Sequence, residues 1–104
     1  MREIKVGRIY KHFKYETLNE EDKLKNIYKY VVLGFATHTE TKEKLVIYRA
    51  LYTSSKMGVD FDIYARPYDM FISEVDHLKY PLIKQKYRFE EIDDWKIRRY
   101  SFIL

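Results

Sequence analysis

Two runs, Tyr30–Thr39 and Lys44–Tyr52, do most to limit what this chain can fold into. Both are rich in Val, Ile, Leu, Phe, Tyr and Thr, residue types that suit a pleated, half-buried surface. They flank residues 40–43, Glu-Thr-Lys-Glu, a polar stretch suited to a hairpin loop. A long antiparallel hairpin must bury one face, so the rest of the chain has to supply strands or helices to cover it. Only three glycines and two prolines interrupt 104 residues.

In the register that best separates apolar from polar, Val31, Leu33 and Phe35 share a face with Ile47 and Leu51, and that face is expected to be core. The opposite face collects Ala36, His38 and Glu40 with Val46, Tyr48, Ala50 and Tyr52. A slip of one residue would exchange the faces of one strand. Arg49 falls on the core side in this register and must reach a rim, a partner acid or solvent.

Elsewhere, Val6–Phe13 reads as a first strand with Arg8, Tyr10 and His12 on one face. Asn19 is placed to cap a short helix over residues 19–25, with Glu20, Glu21 and Asp22 in its first turn. Thr53–Gly58 reads as a loop. Val59, Phe61, Ile63 and Ala65 alternate with Asp60, Asp62 and Tyr64, the pattern of a half-buried strand. Pro67 opens a helical turn reaching Val75, and Lys86–Ile92 is the last strand. The tail Trp95–Leu104 is apolar and is expected to pack. The expected fold is mainly β: a small barrel or roll of about five strands with one or two short helical segments.

The length fits a single domain, residues 1–104. With no cysteine, disulfides, thiolate metal sites and thiol nucleophiles are excluded. No apolar run approaches the roughly 18 residues of a membrane span, and the first residues lack the apolar stretch of a signal peptide. The expectation is a cytoplasmic protein with no membrane partner. The formal net charge of +4 is concentrated at the ends: residues 1–14 carry five basic and one acidic group, and residues 76–104 carry seven and five.

Three chemistries compete for the polar and aromatic residues. His38 and Glu40 share one face of a strand, and His12 on a neighbouring strand would complete a set suited to a transition metal or to acid–base work. No serine sits in a nucleophile-elbow context, so an enzyme would have to activate water. Tyr10, Phe13, Tyr48 and Tyr52 with Lys11, Lys14, Arg49 and Arg66 offer stacking platforms and phosphate partners for a single-stranded nucleic acid. The arginines alone suit carboxylate or phosphate, unless Asp60, Asp62 or Asp69 engages them.

Five phrases stand in order along the chain: Gly7-Arg8-Ile9-Tyr10-Lys11-His12-Phe13-Lys14; Ala36-Thr37-His38-Thr39-Glu40-Thr41; Val46-Ile47-Tyr48-Arg49-Ala50-Leu51-Tyr52; Arg66-Pro67-Tyr68-Asp69-Met70-Phe71; and Arg88-Phe89. Their order resembles a small, chiefly bacterial family, domain of unknown function 1653, over residues 7–89. The resemblance implies a compact SH3-like β-barrel and carries no established activity. Two departures stand out. Residues 15–29 intervene where members pass through a glycine into the next strand, and residues 93–104 extend beyond the usual end.

The phrases suggest one ligand-binding face built from Tyr10, His12, His38, Glu40, Tyr48, Arg49, Tyr52 and Arg66. The expected function is a binding module for an anionic ligand: single-stranded nucleic acid, nucleotide or acidic peptide. The competing readings are a small His-dependent or metal-dependent enzyme and a protein-interaction module acting as a homodimer through its C-terminal tail. No catalytic residue, metal or cofactor is assigned.

Overall fold

The computed structural model describes residues 2–51, 53–54, 59–60 and 62–93, with backbone alone at 53–54 and 59–60. The strands are β1 (Ile9–His12), β2 (Lys29–Thr37), β3 (Lys44–Ala50), β4 (Thr53–Ser54), β5 (Val59–Asp60), β6 (Ile63–Pro67) and β7 (Phe89–Ile92). Five of them form one open antiparallel sheet in the order β6-β3-β2-β1-β7, while β4 and β5 pair as a separate ribbon. The helices are short: a 3-10 turn at Phe13–Thr17, α1 (Glu20–Lys23) and α2 (Tyr68–Phe71). The protein is therefore mainly β, as its composition requires.

The β2–β3 hairpin forms as expected, but the burial of its faces is the reverse of the expectation. Tyr30, Val32, Val46, Tyr48 and Ala50 join Tyr10, Phe71 and Phe89 in the principal core. Ile9, Val31 and Leu51 form a smaller cluster on the opposite face, with Leu33 and Ile92 against it. A bulge between Val32 and Gly34 adds one residue to β2, so Val31 pairs with Arg49 but Phe35 pairs with Val46. Phe35 thus leaves the face of Val31 and joins that of Val46, a change of register that alternation alone does not reveal. The aromatic face becomes the core because tyrosine supplies a large apolar body whose hydroxyl can still be satisfied. The Tyr10 hydroxyl accepts from the Lys5 amide at 3.0 Å, and the Tyr48 hydroxyl accepts from Arg66 Nε at 3.1 Å.

The two edge strands are drawn together over this core. After β6, α2 places Phe71 on Phe89 of β7, with rings stacked 4.1 Å apart and 2° from parallel. The chain beyond α2 then pairs with the approach to β7: Arg88 N donates to Ser73 O at 2.8 Å, Val75 N donates to Lys86 O at 2.8 Å, and Glu74 bridges Tyr87. The open sheet is rolled by a connection rather than by strand-to-strand closure.

Asn19 caps α1 as expected, accepting from Asp22 N at 2.8 Å. The chain then re-enters the sheet through two left-handed residues, Asn26 (φ 62°) and Tyr28 (φ 66°). Such a φ is uncommon for an aromatic residue. Tyr28 takes it at the entry to β2. Three expectations are corrected. Thr53–Ser54 are paired as a strand rather than looped. Residues 59–65 are divided between β5 and β6, and Ile63 is 63% exposed while Tyr64 packs towards Tyr30 and Tyr48. The helical turn after Pro67 stops at Phe71 instead of reaching Val75. Phe61 and the tail Trp95–Leu104 lie outside the described residues.

Phe71 is fully buried and Leu78 is 97% exposed. Phe71→Ala is expected to cost ~3–5 kcal/mol in urea unfolding, and Leu78→Ala to stay within ~0.5 kcal/mol. Equal effects would contradict the placement of the core.

Candidate functional site

His12 is the hinge between fold and site. It ends β1, pairs with Phe89 in the β1–β7 register, and starts the 3-10 turn by accepting from Lys14 N at its Nδ1, 3.1 Å away. An Nδ1 that accepts a backbone N–H leaves the ring proton on Nε2. The ring packs on Phe13 (4.4 Å) and edge-on to Phe89 (5.0 Å), and the residue is 8% exposed.

His12 opens onto a cleft of ≈ 300 Å³. Phe13 and Lys14 follow it in the wall, Arg66 enters from β6, Arg88 from the approach to β7, and Val75, Asp76, Lys79 and Tyr80 from the segment between. Both guanidinium groups are held by Nε. Arg66 donates to the Tyr48 hydroxyl and lies 5.4 Å from the Phe89 ring centroid, and Arg88 donates to Ser73 Oγ at 3.2 Å. Among the described residues no carboxylate lies within ion-pair distance of either arginine. Asp76, the acid in the wall, has Oδ1 turned to the amides of Leu78 and Lys79 at 3.1 and 3.3 Å.

The electrostatics follow from this packing. Burial, and then the charges of Arg66, Arg88 and Lys14, lower the His12 pKa from its ordinary 6.5 to about 3. His12 is therefore a neutral N–H donor at physiological pH, beside four cations and one acid. Half-buried guanidinium groups with no carboxylate within ion-pair distance among the described residues suit an anion, which neutral and charged N–H groups can both meet.

The predicted site residues divide into groups. His12 and Arg66 share the cleft. Tyr48 is buried and acts through Arg66. Tyr10 is 1% exposed in the core, where burial raises its hydroxyl pKa, so it is no open stacking platform. Arg49 projects from the other face of β3, cross-strand from Val31 and Ile63. His38 sits at the far end of the hairpin, accepting from the amides of Glu40 (3.1 Å) and Thr41 (3.2 Å) at Nδ1, with Glu40 exposed beside it. His12 adjoins the start of β2 and His38 follows its end, about 30 Å along a strand of this length at roughly 3.3 Å per residue. The convergence of His12, His38 and Glu40 on one metal or acid–base centre is thereby overturned, and no metal-binding cluster occurs among the described residues. Tyr52 lies outside the described residues.

Arg88, Lys79 and Tyr80 were not among the expected site residues. Arg88 carries a signal in the Arg88-Phe89 phrase, since an arginine beside a buried phenylalanine must leave the core face for a rim. Lys79 and Tyr80 lie in an irregular segment and give none. Three of the five phrases meet at the cleft, a fourth supplies Tyr48 behind Arg66, and the His38 phrase forms the distant hairpin tip.

Because the unfolded chain binds a proton at His12 below pH ~6.5 and the folded chain does not, protonation favours unfolding. Stability is expected to fall as pH drops from about 6.5 towards about 3, and His12→Gln should flatten that dependence. The His12 ring resonances should stay unchanged from pH 8 to pH 5. A titration near 6.5 would contradict the burial of this ring between cations.

Comparison with curated proteins and with solved structures gives no match. The sequence profile of one family, described as "Protein of unknown function (DUF1653)", matches residues 8–91, a span that includes every wall of the cleft, and the chain belongs to that family.

Proposed function

We propose that this protein is a binding module for an anionic ligand, seated by a phosphate or carboxylate in the cleft at His12, Arg66 and Arg88. One observation carries the reading: two guanidinium groups are anchored through Nε to Tyr48 and Ser73, with no carboxylate answering them among the described residues. Anchoring by Nε leaves the Nη groups for a fork-like contact with a planar or tetrahedral anion. A cleft of ≈ 300 Å³ is at the low end for small-molecule sites and suits one charged group with its immediate neighbours.

The enzyme reading receives less support. With Nδ1 accepting from Lys14 N, His12 presents a donor rather than a base to the cleft. The homodimer reading rests on the tail Trp95–Leu104, outside the described residues. Among the described residues no helix is long and apolar enough to cross a membrane.

Calorimetric titration with inorganic phosphate tests the proposal, with triglutamate as the carboxylate probe. Loss of one charge-assisted contact, about 1.5–3 kcal/mol, should weaken binding by ~10- to 100-fold in Arg66→Gln and Arg88→Gln. Phosphate should also raise the His12 pKa, since an anion in the cleft offsets the cations that lower it. Equal affinity of the wild type and Arg88→Gln, with unchanged amide spectra, would remove the cleft as the seat.

A further inference from the structure

β2 is longer than β1, the strand beside it. β1 accompanies it from Lys29 to Val31, and the last bonds on that side run from Gly7 N to Val32 O at 2.8 Å and from Val32 N to Arg8 O at 3.1 Å. Gly7 takes φ 85°, a left-handed conformation suited to glycine, and the chain before it lies outside the sheet. Past the bulge, Gly34–Thr37 is therefore flanked by β3 alone. His38 N donates to Glu43 O at 2.9 Å, so His38 faces β3, and alternation along the ladder turns Ala36 and Gly34 the same way. The N–H and C=O of Phe35 and Thr37 point in the opposite direction, where no hydrogen-bonding group answers them among the described residues.

The side chains along this edge are aromatic and cationic. Phe35 and Thr37 share a face with their cross-strand partners Val46 and Lys44, and Phe35 is 40% exposed. Lys44 Nζ lies 4.4 Å from the Phe35 ring centroid and 4.5 Å from that of Tyr68, so it leans from β3 over the neighbouring strand. Phe35, Ala36, Thr37, Lys42 and Lys44 line a groove of ≈ 290 Å³. Among the described residues no carboxylate lies within ion-pair distance of either lysine. Glu40 and Glu43 of the same hairpin do not line the groove, and Glu43 Oε1 accepts from Thr41 Oγ1 at 3.1 Å.

We infer that this edge of β2 receives an extended acidic peptide segment of another protein, added as a strand in line with β1. In strand addition the main-chain bonds give affinity and the alternate side chains give selectivity. The segment runs antiparallel to β2, as β1 does, and its alternate residues exchange N–H···O bonds with Phe35 and Thr37. Those same residues place their side chains on the face of Phe35 and Lys44. A glutamate there lays its methylenes on the exposed ring and its carboxylate against Lys44 or Lys42, where a basic side chain would meet like charge. A second copy of this chain fits less well. Its own edge, Gly34-Phe35-Ala36-Thr37, brings no carboxylate to the lysines, and so short a pairing buries too little for a stable dimer. The groove and the cleft at His12 are independent, since no residue lines both.

The test is nitrogen–proton NMR of the full chain with a capped peptide that alternates glutamate and valine. Two controls go beside it: the same peptide N-methylated at its glutamates, and one with lysine in place of glutamate. The first peptide should shift the Phe35 and Thr37 amides and slow their hydrogen exchange, and both controls should leave them unchanged. Loss of two exposed ion pairs in Lys42→Gln/Lys44→Gln should weaken binding ~2- to 30-fold. Arg66→Gln, at the independent cleft, should bind the peptide within about twofold of the wild type. An equal response to the N-methylated peptide would overturn strand addition, and an equal response to the lysine peptide would overturn the acidic partner. Silence of the Phe35 and Thr37 amides at millimolar peptide would overturn both and leave the cleft reading standing. Slowing of those amides by raised protein concentration alone would assign the edge to a second copy instead.

Discussion

The stack of Phe71 on Phe89 is the contact on which the rest of the structure depends. β6 and β7 lie at opposite edges of the sheet, and no ladder joins them directly. The stack, with the pairing of residues 73–75 against 86–88, brings those edges over a shared core. It also sets the distance between Arg66 on β6 and Arg88 before β7. Phe89 is the common reference: the His12 ring meets it edge-on, and the Arg66 guanidinium lies over its face. The cleft is therefore a by-product of how an open sheet is rolled.

A buried imidazole between cations is a cost in a fold with no ligand, because burying charge without a partner is unfavourable. The chain limits the cost by keeping His12 neutral and by tying each guanidinium to a hydroxyl. Tyr48 illustrates the economy: its ring packs in the core beside Phe71 and Phe89, and its hydroxyl holds Arg66 at the rim. The count of eleven tyrosines is explained in part by this double use, apolar body inward and hydroxyl at the border.

The strands were largely legible, because Tyr30–Thr39 and Lys44–Tyr52 are long and strand-forming and the polar stretch between them leaves one hairpin. Which face is core was not. Val31, Leu33 and Phe35 look more apolar than Tyr48 and Tyr30, yet bulge and packing give the larger core to the tyrosines. The same reversal turned Tyr10 from a surface candidate into a core residue. His12 and Arg66 were legible from their phrases. His38 was misplaced beside them, because two strands that pair antiparallel put the end of one beside the start of the other. Arg88 was marked by its phrase with Phe89, but nothing in the sequence shows that it meets Arg66, because that depends on how β6 and β7 are brought over one core.

The proposed anion seat requires Arg66 and Arg88 to act together on one anion. Their Nε–Hε resonances can be followed directly by nitrogen–proton NMR while inorganic phosphate is added. Both side-chain signals, and that of the His12 ring, are expected to shift and saturate with a single dissociation constant. Shifts that stay linear with phosphate concentration, or that appear at surface lysines while Arg66 and Arg88 remain unchanged, would contradict it.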